Sequence, residues 1–161
     1  MTLAGEKMSK SLANTADVLA AVEAYSGRAV RLYLAGPHYR SAIELSDASL
    51  AEAAAQLARI DSFLDRASSL EAGWTAWVPS EVLPSAFVQA MDDDLGTPGA
   101  VAVLFQTVKE GNIALEAGDT AAAVRAHTAV RAMLGVLGLD PAAPEWAEAG
   151  GSGDDLKPVV D

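Results

Sequence analysis

Two lysines near the start of the chain stand three residues apart, with hydroxyl side chains between and beside them. Lys7 and Lys10 alternate with Ser9 and Ser11, and Gly5 precedes them. Two ammonium groups at this spacing suit a triphosphate, and the glycine allows the loop to move over it. When a carboxylate attacks an α-phosphate, lysines that meet the charge of the departing pyrophosphate only in the transition state accelerate the step. A generic Lys-x-x-Lys pair is more often a solvated surface, so spacing alone leaves both interpretations open.

Three consecutive aspartates, Asp92 to Asp94, are a second candidate for chemistry. Hard cations take carboxylate oxygens, so the run could bind magnesium. The alternative is a solvated acidic turn, which places negative charge favourably before a helix that begins near Pro98. We favour the acidic turn and expect no metal here, because runs of charge usually face solvent.

The chain has no cysteine, which excludes disulfides, thiolate metal sites and a cysteine nucleophile. Its two histidines, His38 and His127, are far apart and lack a cluster of further ligands, so a zinc site is not expected. His127 falls inside a predicted helix and is expected to be a packed or exposed side chain. His38 is followed by Tyr39 and Arg40 and comes after Gly36-Pro37, a pattern that favours a structural junction.

The charge is unevenly distributed along the chain. Residues 1–40 hold five Lys or Arg and three Asp or Glu, a balance of +2, whereas residues 41–161 hold six and nineteen, a balance of −13. Nucleic-acid affinity normally needs a basic face, because neutralised phosphates release counterions. The acidic balance therefore argues against strong RNA binding by this chain alone, and it places any phosphate chemistry near the N-terminus.

The elements that must position these residues are predicted to be helices. The sequence is 51% hydrophobic and rich in alanine, with modest numbers of aromatic and β-branched residues, which favours helix over sheet. Apolar periodicity predicts helices over 16–25, 28–35, 47–70, 85–91, 98–117 and 120–137. The first of these is expected to end at Gly27. The predicted fold class is all-α, a helical bundle preceded by a flexible loop.

Capping residues mark the other helix boundaries. Ser46 or Asp47 is expected to cap the longest helix, which carries a core-facing stripe of apolar residues at three- and four-residue steps. Ser85 is expected to cap the next helix, and Thr97 the one after, with proline following at its first position. Two helices joined at Gly118-Asp119 should form an antiparallel hairpin.

The pattern divides the chain into four segments. They are the lysine loop over 1–14, short linking helices over 15–45, a helical domain over 46–140 and a tail over 141–161. The tail is rich in proline, glycine and acidic residues and is predicted to be mobile. A linker over 71–84 interrupts the helical domain, and its Trp74 and Trp77 are expected to pack on the bundle. No apolar run approaches the roughly 20 residues that span a bilayer, and the start lacks a secretory signal, so we expect a cytoplasmic protein without a membrane partner.

The five residues Lys7-Met8-Ser9-Lys10-Ser11 match the Lys-Met-Ser-Lys-Ser loop of class I aminoacyl-tRNA synthetases, and a predicted helix follows, as in that class. Further matches narrow the family, and they are Arg31 to Leu34, His38 to Ser41, Phe87 to Pro98, Glu110-Gly111-Asn112 and Met133 to Pro141. Over residues 2–161 the sequence resembles cysteinyl-tRNA synthetases, in the style of actinobacterial members. It is similar to the stretch from their ATP-phosphate loop through their helical, DALR-type domain.

This resemblance implies an ATP-dependent ligase that joins cysteine to tRNA(Cys) through a cysteinyl-adenylate. Lys7 and Lys10 would hold the ATP phosphates, Lys10 by direct contact, while Ser9 and Ser11 support the loop and Met8 packs beneath it. The family's catalytic domain, with its selective zinc, would precede Met1. ATP and zinc therefore belong to the parent enzyme, no cofactor is expected on this chain, and the chain alone is expected to be inactive. The family usually has glycine where this sequence has alanine, at position 13.

The resemblance also suggests partners and leaves alternatives open. Arg40 would contact the tRNA backbone in the full enzyme, with weak or absent tRNA binding by the acidic chain alone. One alternative is a free-standing, non-catalytic interaction module with a protein partner. Another is a fragment of the paralogous ligase that joins cysteine to an amino-sugar in mycothiol synthesis. The matches at Glu110-Gly111-Asn112 and Met133 to Pro141 favour the tRNA enzyme.

Overall fold

The computed structural model describes residues 2–3, 6–7, 18–70 and 83–147, and most of these are helical. The elements in chain order are β1 (Thr2–Leu3), β2 (Glu6–Lys7), α1 (Val18–Tyr25), α2 (Gly27–Ala35), β3 (Glu44–Leu45), α3 (Asp47–Ser68), α4 (Ser85–Asp92), α5 (Thr97–Ala117), α6 (Thr120–Leu137) and α7 (Pro144–Ala147). The predicted all-α class is confirmed. Most of the linker predicted over 71–84, with Trp74 and Trp77, lies outside the described residues. No helix among those described is long and apolar enough to cross a membrane.

The core lies where α3 meets the antiparallel pair α5 and α6. Its largest fully buried side chains are Phe63, Phe87, Ile60, Leu104, Met133, Leu134, Leu139 and Val130. The predicted stripe of α3 is confirmed, since Leu50, Leu57, Ile60, Phe63 and Leu64 are buried on one face. Burial of each such side chain stabilises the fold by roughly 1.5–3 kcal/mol. At Gly111 of α5 an added Cβ would lie 2.4 Å from the Phe63 ring, so glycine permits the close approach of α3 and α5.

Helix caps explain most of the boundaries. Ser46 caps α3 and forms a capping box with Ser49, in which each side chain accepts from the other residue's backbone N–H. Asp119 accepts from the backbone N–H of Ala122 and so caps α6. Gly118 ends α5 in the left-handed conformation with φ 72°, which a residue without Cβ adopts without strain. The predicted hairpin between α5 and α6 is therefore confirmed.

Three predicted boundaries are wrong for physical reasons. Ser85 and Thr97 are the first residues of α4 and α5 rather than their caps. Neither α4 nor α5 has a side-chain cap hydrogen bond, and the Thr97 hydroxyl donates to the Pro37 carbonyl at 3.1 Å. Gly27 begins α2 instead of ending α1, because Ser26, with φ 75°, makes the break and accepts from the Ala29 N–H.

Residues 141–147 of the predicted tail are described, and they include a helix that the sequence pattern did not predict. Residues 144–147 form α7, and the Trp146 indole N–H donates to the Gly138 carbonyl at 3.1 Å. A Cβ added at Gly27 would lie 3.0 Å from the same indole ring, so α7 also approaches the start of α2. The tryptophan gives this segment a contact surface that its proline and glycine content does not reveal. Residues 148–161 lie outside the described part of the chain.

A small three-stranded sheet lies in a region predicted to be a loop. Its order is β2-β1-β3, with β1 antiparallel to β2 and parallel to β3. Thr2 pairs with both Lys7 and Glu44, so the main chain of Lys7 belongs to the same sheet as β3, just before α3. The Tyr33 hydroxyl donates to the Glu44 carbonyl at 2.6 Å and ties β3 to α2. The loop prediction over 1–14 is thus wrong at these four residues, because β1 pairs with both β2 and β3 and the strands satisfy backbone groups of one another.

Candidate functional site

The predicted ATP-phosphate loop is described only at its first lysine. Lys7 lies in β2, which fixes the course of its main chain within the small sheet. Met8, Ser9, Lys10, Ser11 and the alanine at position 13 lie outside the described residues. The phosphate contacts of all five motif residues stay predictions.

The second predicted site residue, Arg40, lies in a cluster that we call the Asp94 junction, formed by residues 37–40 and 94–97. The Tyr39 hydroxyl donates to Asp94 Oδ1 at 2.8 Å, and Arg40 Nη1 lies 3.4 Å from Asp94 Oδ2. His38 Nε2 lies 3.1 Å from the Asp94 carbonyl oxygen. Three consecutive residues after α2 therefore contact three oxygens of one aspartate in the turn between α4 and α5.

The backbone of this turn explains why Asp94 faces the segment after α2. Asp94 and Leu95 both have positive φ, 51° and 53°, at a cost on the order of 1 kcal/mol each for residues with a Cβ. Gly96 closes the turn because its N–H donates to the Ala90 carbonyl at 2.9 Å. A Cβ there would lie 2.7 Å from the same carbonyl oxygen, so only glycine fits. The contacts of the junction offset the strain of the two left-handed residues.

The hydrogen bonds of His38 define its tautomer. The Asp94 carbonyl can only accept, so Nε2 carries the proton that it receives. The other ring nitrogen, Nδ1, accepts from the Arg40 backbone N–H at 3.3 Å. The ring also stacks on Tyr39 with centroids 4.6 Å apart. His38 thus orders the residues beside it, as predicted for a structural junction.

Arg40 is held in place and yet open to solvent. Its guanidinium carbon lies 5.3 Å from the centroid of the Tyr39 ring, within the range of a cation–π contact. Its side chain is 70% exposed. A planar guanidinium in this setting can donate to a phosphate from its outer edge.

The aspartate run, Asp92 to Asp94, spans the end of α4 and the start of the turn before α5. Among the residues that the structure describes, no group of three His, Asp or Glu side chains could hold a metal ion. Of the three aspartates, Asp94 is the one in contact with the junction residues, and its side chain is half exposed. Both halves of the junction were singled out separately in the sequence, and their contact was not predicted. A signal was present, since Tyr and Arg on one segment complement an aspartate run on another.

A second polar cluster lies at the C-terminal end of α6 and was missed entirely. Arg131 Nη2 lies 2.7 Å from Asp140 Oδ2, with the two side chains only 7% and 10% exposed. Arg28 donates to both carboxylate oxygens of Asp61 at 2.9 Å and also to the Leu139 carbonyl. Arg31 Nε donates to the Leu137 carbonyl at 2.9 Å. We call these four residues and Arg31 the α6 anchor. The anchor fixes α2 against the last turn of α6, where backbone carbonyls have no helical partner.

His127 lies in the core close to this anchor. It is 2% exposed, and its ring centroid is 6.4 Å from that of Phe63. Burial lowers the pKa of His127 to about 4, and the positive charge of Arg131 adds to this effect, while Asp140 opposes it. The ring is therefore neutral near pH 7. Its burial confirms the prediction of a packed side chain over that of an exposed one.

Comparisons with known proteins cover both halves of the junction. The family model for the tRNA synthetases class I (C) catalytic domain matches residues 1–55, which include His38, Tyr39 and Arg40. The family model for the DALR domain matches residues 86–140, which include Asp94 and two residues of the α6 anchor, Arg131 and Asp140. The junction therefore joins the two matched segments.

Relatives match the chain from end to end. It is 54% identical to the cysteine–tRNA ligase of Cutibacterium acnes and 50% identical to that of Streptomyces avermitilis, over 100% of this chain in each case. The same enzyme of a Nocardioides species is 45% identical, also over 100% of this chain. The chain spans about a third of the length of these relatives, 34% in each. With segments that match both domain models in one order, the chain is similar over its whole length to about a third of a cysteine–tRNA ligase.

Proposed function

We propose that this chain is the part of an ATP-dependent cysteine–tRNA ligase that supplies the ATP-phosphate loop and a helical domain that positions tRNA. The observation that carries the proposal is identity of 54% to a cysteine–tRNA ligase across the whole chain. The intact motif from Lys7 to Ser11 supports the loop's part in the reaction. The match to the DALR domain supports a role in placing tRNA.

In the proposed reaction, the carboxylate of cysteine attacks the α-phosphate of ATP, forming the adenylate and releasing pyrophosphate. Negative charge grows on the departing pyrophosphate, and Lys10 would contact it directly with help from Lys7. Ser9 and Ser11 would support the loop, and Met8 would pack beneath it. Lysines that meet this charge only in the transition state raise the rate of the step rather than the affinity for ATP.

The chain alone is not expected to form the adenylate, since it corresponds to about a third of the relatives' length. Zinc, if present in the complete enzyme, would be held by residues outside those described here. The test is cysteine-dependent exchange of pyrophosphate into ATP, measured with the purified 161-residue chain and with a complete synthetase that carries it. Exchange by the isolated chain would contradict its proposed place as one part of the active site.

A lysine substitution tests the loop within the complete synthetase. Lys10→Ala should lower the rate of exchange strongly at saturating ATP, because the lost contact belongs to the transition state. The matched control is Lys109→Ala, which removes an exposed lysine on α5. Equal rates for both variants would contradict the role of Lys10.

We further propose that Arg40 contacts the tRNA backbone. Its exposed guanidinium beside Tyr39 supports this, since arginine is suited to phosphate and aromatic rings stack with bases. The chain's net charge of −11 predicts weak binding by the isolated chain, detectable at low salt and lost at physiological salt. A gel-shift titration against tRNA at both salt concentrations measures it.

The acidic charge also favours one alternative, a non-catalytic module that binds a protein. Residues 41–161 carry a balance of −13, which disfavours RNA and suits a basic protein surface. Failure to shift tRNA at low salt would favour this alternative. Transfer of cysteine to an amino-sugar instead of tRNA by the complete enzyme would favour the mycothiol ligase.

A further inference from the structure

Asp94 is one of the places at which the two matched segments of the chain make polar contact, beside the bonds of Arg28 and Arg31 to the end of α6. It lies in the segment that matches the DALR domain, and its three partners lie in the segment that matches the catalytic domain. Oδ1 accepts from Tyr39, Oδ2 faces Arg40 and the carbonyl oxygen accepts from His38. His38, Tyr39 and Arg40 each make their shortest contact with a different oxygen of Asp94. These contacts fix the direction of the segment after α2 as well as its position.

We infer that Asp94 is a positioning residue for tRNA, which holds Arg40 in the orientation that meets the phosphate backbone. This inference rests on the proposed contact of Arg40 with tRNA. A guanidinium carries five N–H donors, more than one carboxylate contact at 3.4 Å occupies. With 70% of the Arg40 side chain exposed, donors remain for a phosphate while Asp94 limits the rotamers that the long side chain samples.

Tyr39 completes the arrangement from the other carboxylate oxygen. Its hydroxyl fixes Oδ1 at 2.8 Å, so the carboxylate cannot turn freely toward Arg40 or away from it. Its ring lies under the guanidinium and is stacked on His38. The ring and the carboxylate therefore hold the guanidinium from two directions.

The sign of one mutational effect separates positioning from simple electrostatics. Removal of a carboxylate near a phosphate-binding residue lowers repulsion, so charge alone predicts that Asp94→Asn raises the affinity for RNA. Positioning predicts the opposite, a loss of affinity although the protein has become less acidic. Asp93→Asn is the matched control, because Asp93 is exposed in the same turn and its removal changes the charge equally.

The experiment titrates the complete synthetase that carries this chain with tRNA across a series of salt concentrations at neutral pH. Arg40→Ala should weaken binding and reduce the slope of log affinity against log salt by about 1, the value for one lost phosphate contact. Asp94→Asn should also weaken binding and reduce this slope, as Arg40→Ala does. Tyr39→Phe, which leaves the charge unchanged, should weaken binding less, and Asp93→Asn should leave the slope unchanged and affinity equal or higher.

The outcomes distinguish the inference from the proposed function. If Arg40→Ala binds as the wild type does, the proposed tRNA contact is wrong and the inference falls with it. If Arg40→Ala weakens binding but Asp94→Asn behaves like Asp93→Asn, the contact stands and the positioning role is overturned. Thermal unfolding followed by circular dichroism checks the fold of each variant. If Asp94→Asn unfolds, the test rests on Tyr39→Phe. Unchanged affinity for tRNA in Tyr39→Phe would then overturn the inference.

Discussion

The α6 anchor and the Asp94 junction both join an arginine to an aspartate, yet they differ in burial and therefore in consequence. In the anchor, Arg131 and Asp140 are 7% and 10% exposed at a separation of 2.7 Å. In the junction, Arg40 and Asp94 are 70% and 52% exposed at 3.4 Å. Water screens the charges of Arg40 and Asp94 and leaves Arg40 accessible. Arg131 and Asp140 lack this screening, so hydrogen bonds within the protein must offset the cost of removing their charges from water. One type of ion pair is therefore buried within the bundle at one place and leaves its arginine open to solvent at another.

The buried pair is well compensated by further hydrogen bonds. Arg131 donates through both Nε and Nη2, so the carboxylate is bound at each of its oxygens. Asp140 Oδ1 also accepts from the Ala142 backbone N–H at 3.2 Å. Desolvation of each charge costs several kcal/mol, which this geometry has to offset. Loss of one partner is therefore more damaging than loss of both.

Arg131→Leu should have the largest effect on stability of the changes considered. It leaves Asp140 as an uncompensated buried charge, and the free energy of unfolding should fall by roughly 3–5 kcal/mol. Urea unfolding measures the loss. Arg125→Leu, an exposed arginine on the same helix, is the control and should change stability by no more than about 0.5 kcal/mol. Adding Asp140→Leu to Arg131→Leu should restore part of the stability, and a further loss in that double variant would contradict the account of the buried pair.

The histidine beside the anchor gives an intermediate effect that depends on pH. Burial lowers the pKa of His127 in the folded chain to about 4, below the value of about 6.5 for an unfolded chain. The unfolded state then binds more protons as pH falls, so the stabilisation is present above pH 6.5 and lost as pH drops toward 4. As the pH falls from 7 to 5, protonation of His127 in the unfolded chain should lower the free energy of unfolding by roughly 2 kcal/mol.

Comparison of pH profiles isolates that contribution from the titration of carboxylates. His127→Gln should unfold with less difference between pH 7 and pH 5 than the wild type, whatever its stability at neutral pH. Identical profiles for His127→Gln and the wild type would show that His127 is not held neutral by burial.

Local patterns predicted the helices well, because their signals lie within each segment. The stripe on α3, the cap at Ser46 and the left-handed glycine at 118 are all fixed by neighbours within a few residues. The boundaries at Ser85 and Thr97 were wrong since a serine or threonine at a helix start can be either the cap or the first helical residue. The Thr97 hydroxyl donates to the Pro37 carbonyl, a partner distant in sequence that no local pattern reveals.

The candidate site shows the same limit more clearly. Its motif residues were recognised from sequence, but the contact of Arg40 with Asp94 spans more than fifty positions and appears only when α2 and α5 are packed. The α6 anchor likewise joins Arg28 to the Leu139 carbonyl across 111 positions. Helical periodicity counts an arginine as a surface residue, so it cannot reveal one that caps another helix. Trp146 is comparable, because its partner is a backbone carbonyl beside Gly138.

The exposed pair should give the smallest effect on stability, and this prediction is the other half of the comparison. Asp94→Asn keeps the size of the side chain and an oxygen that can accept from Tyr39, and removes only the charge. Because exposed ion pairs contribute about 0–1 kcal/mol, the unfolding free energy should fall by no more than about 1 kcal/mol. Urea unfolding of Asp94→Asn and Asp93→Asn under the conditions used for Arg131→Leu measures the difference. A loss as large as that of Arg131→Leu would mean that the junction is part of the structural core, since the two left-handed residues would then depend on the carboxylate charge to hold the turn.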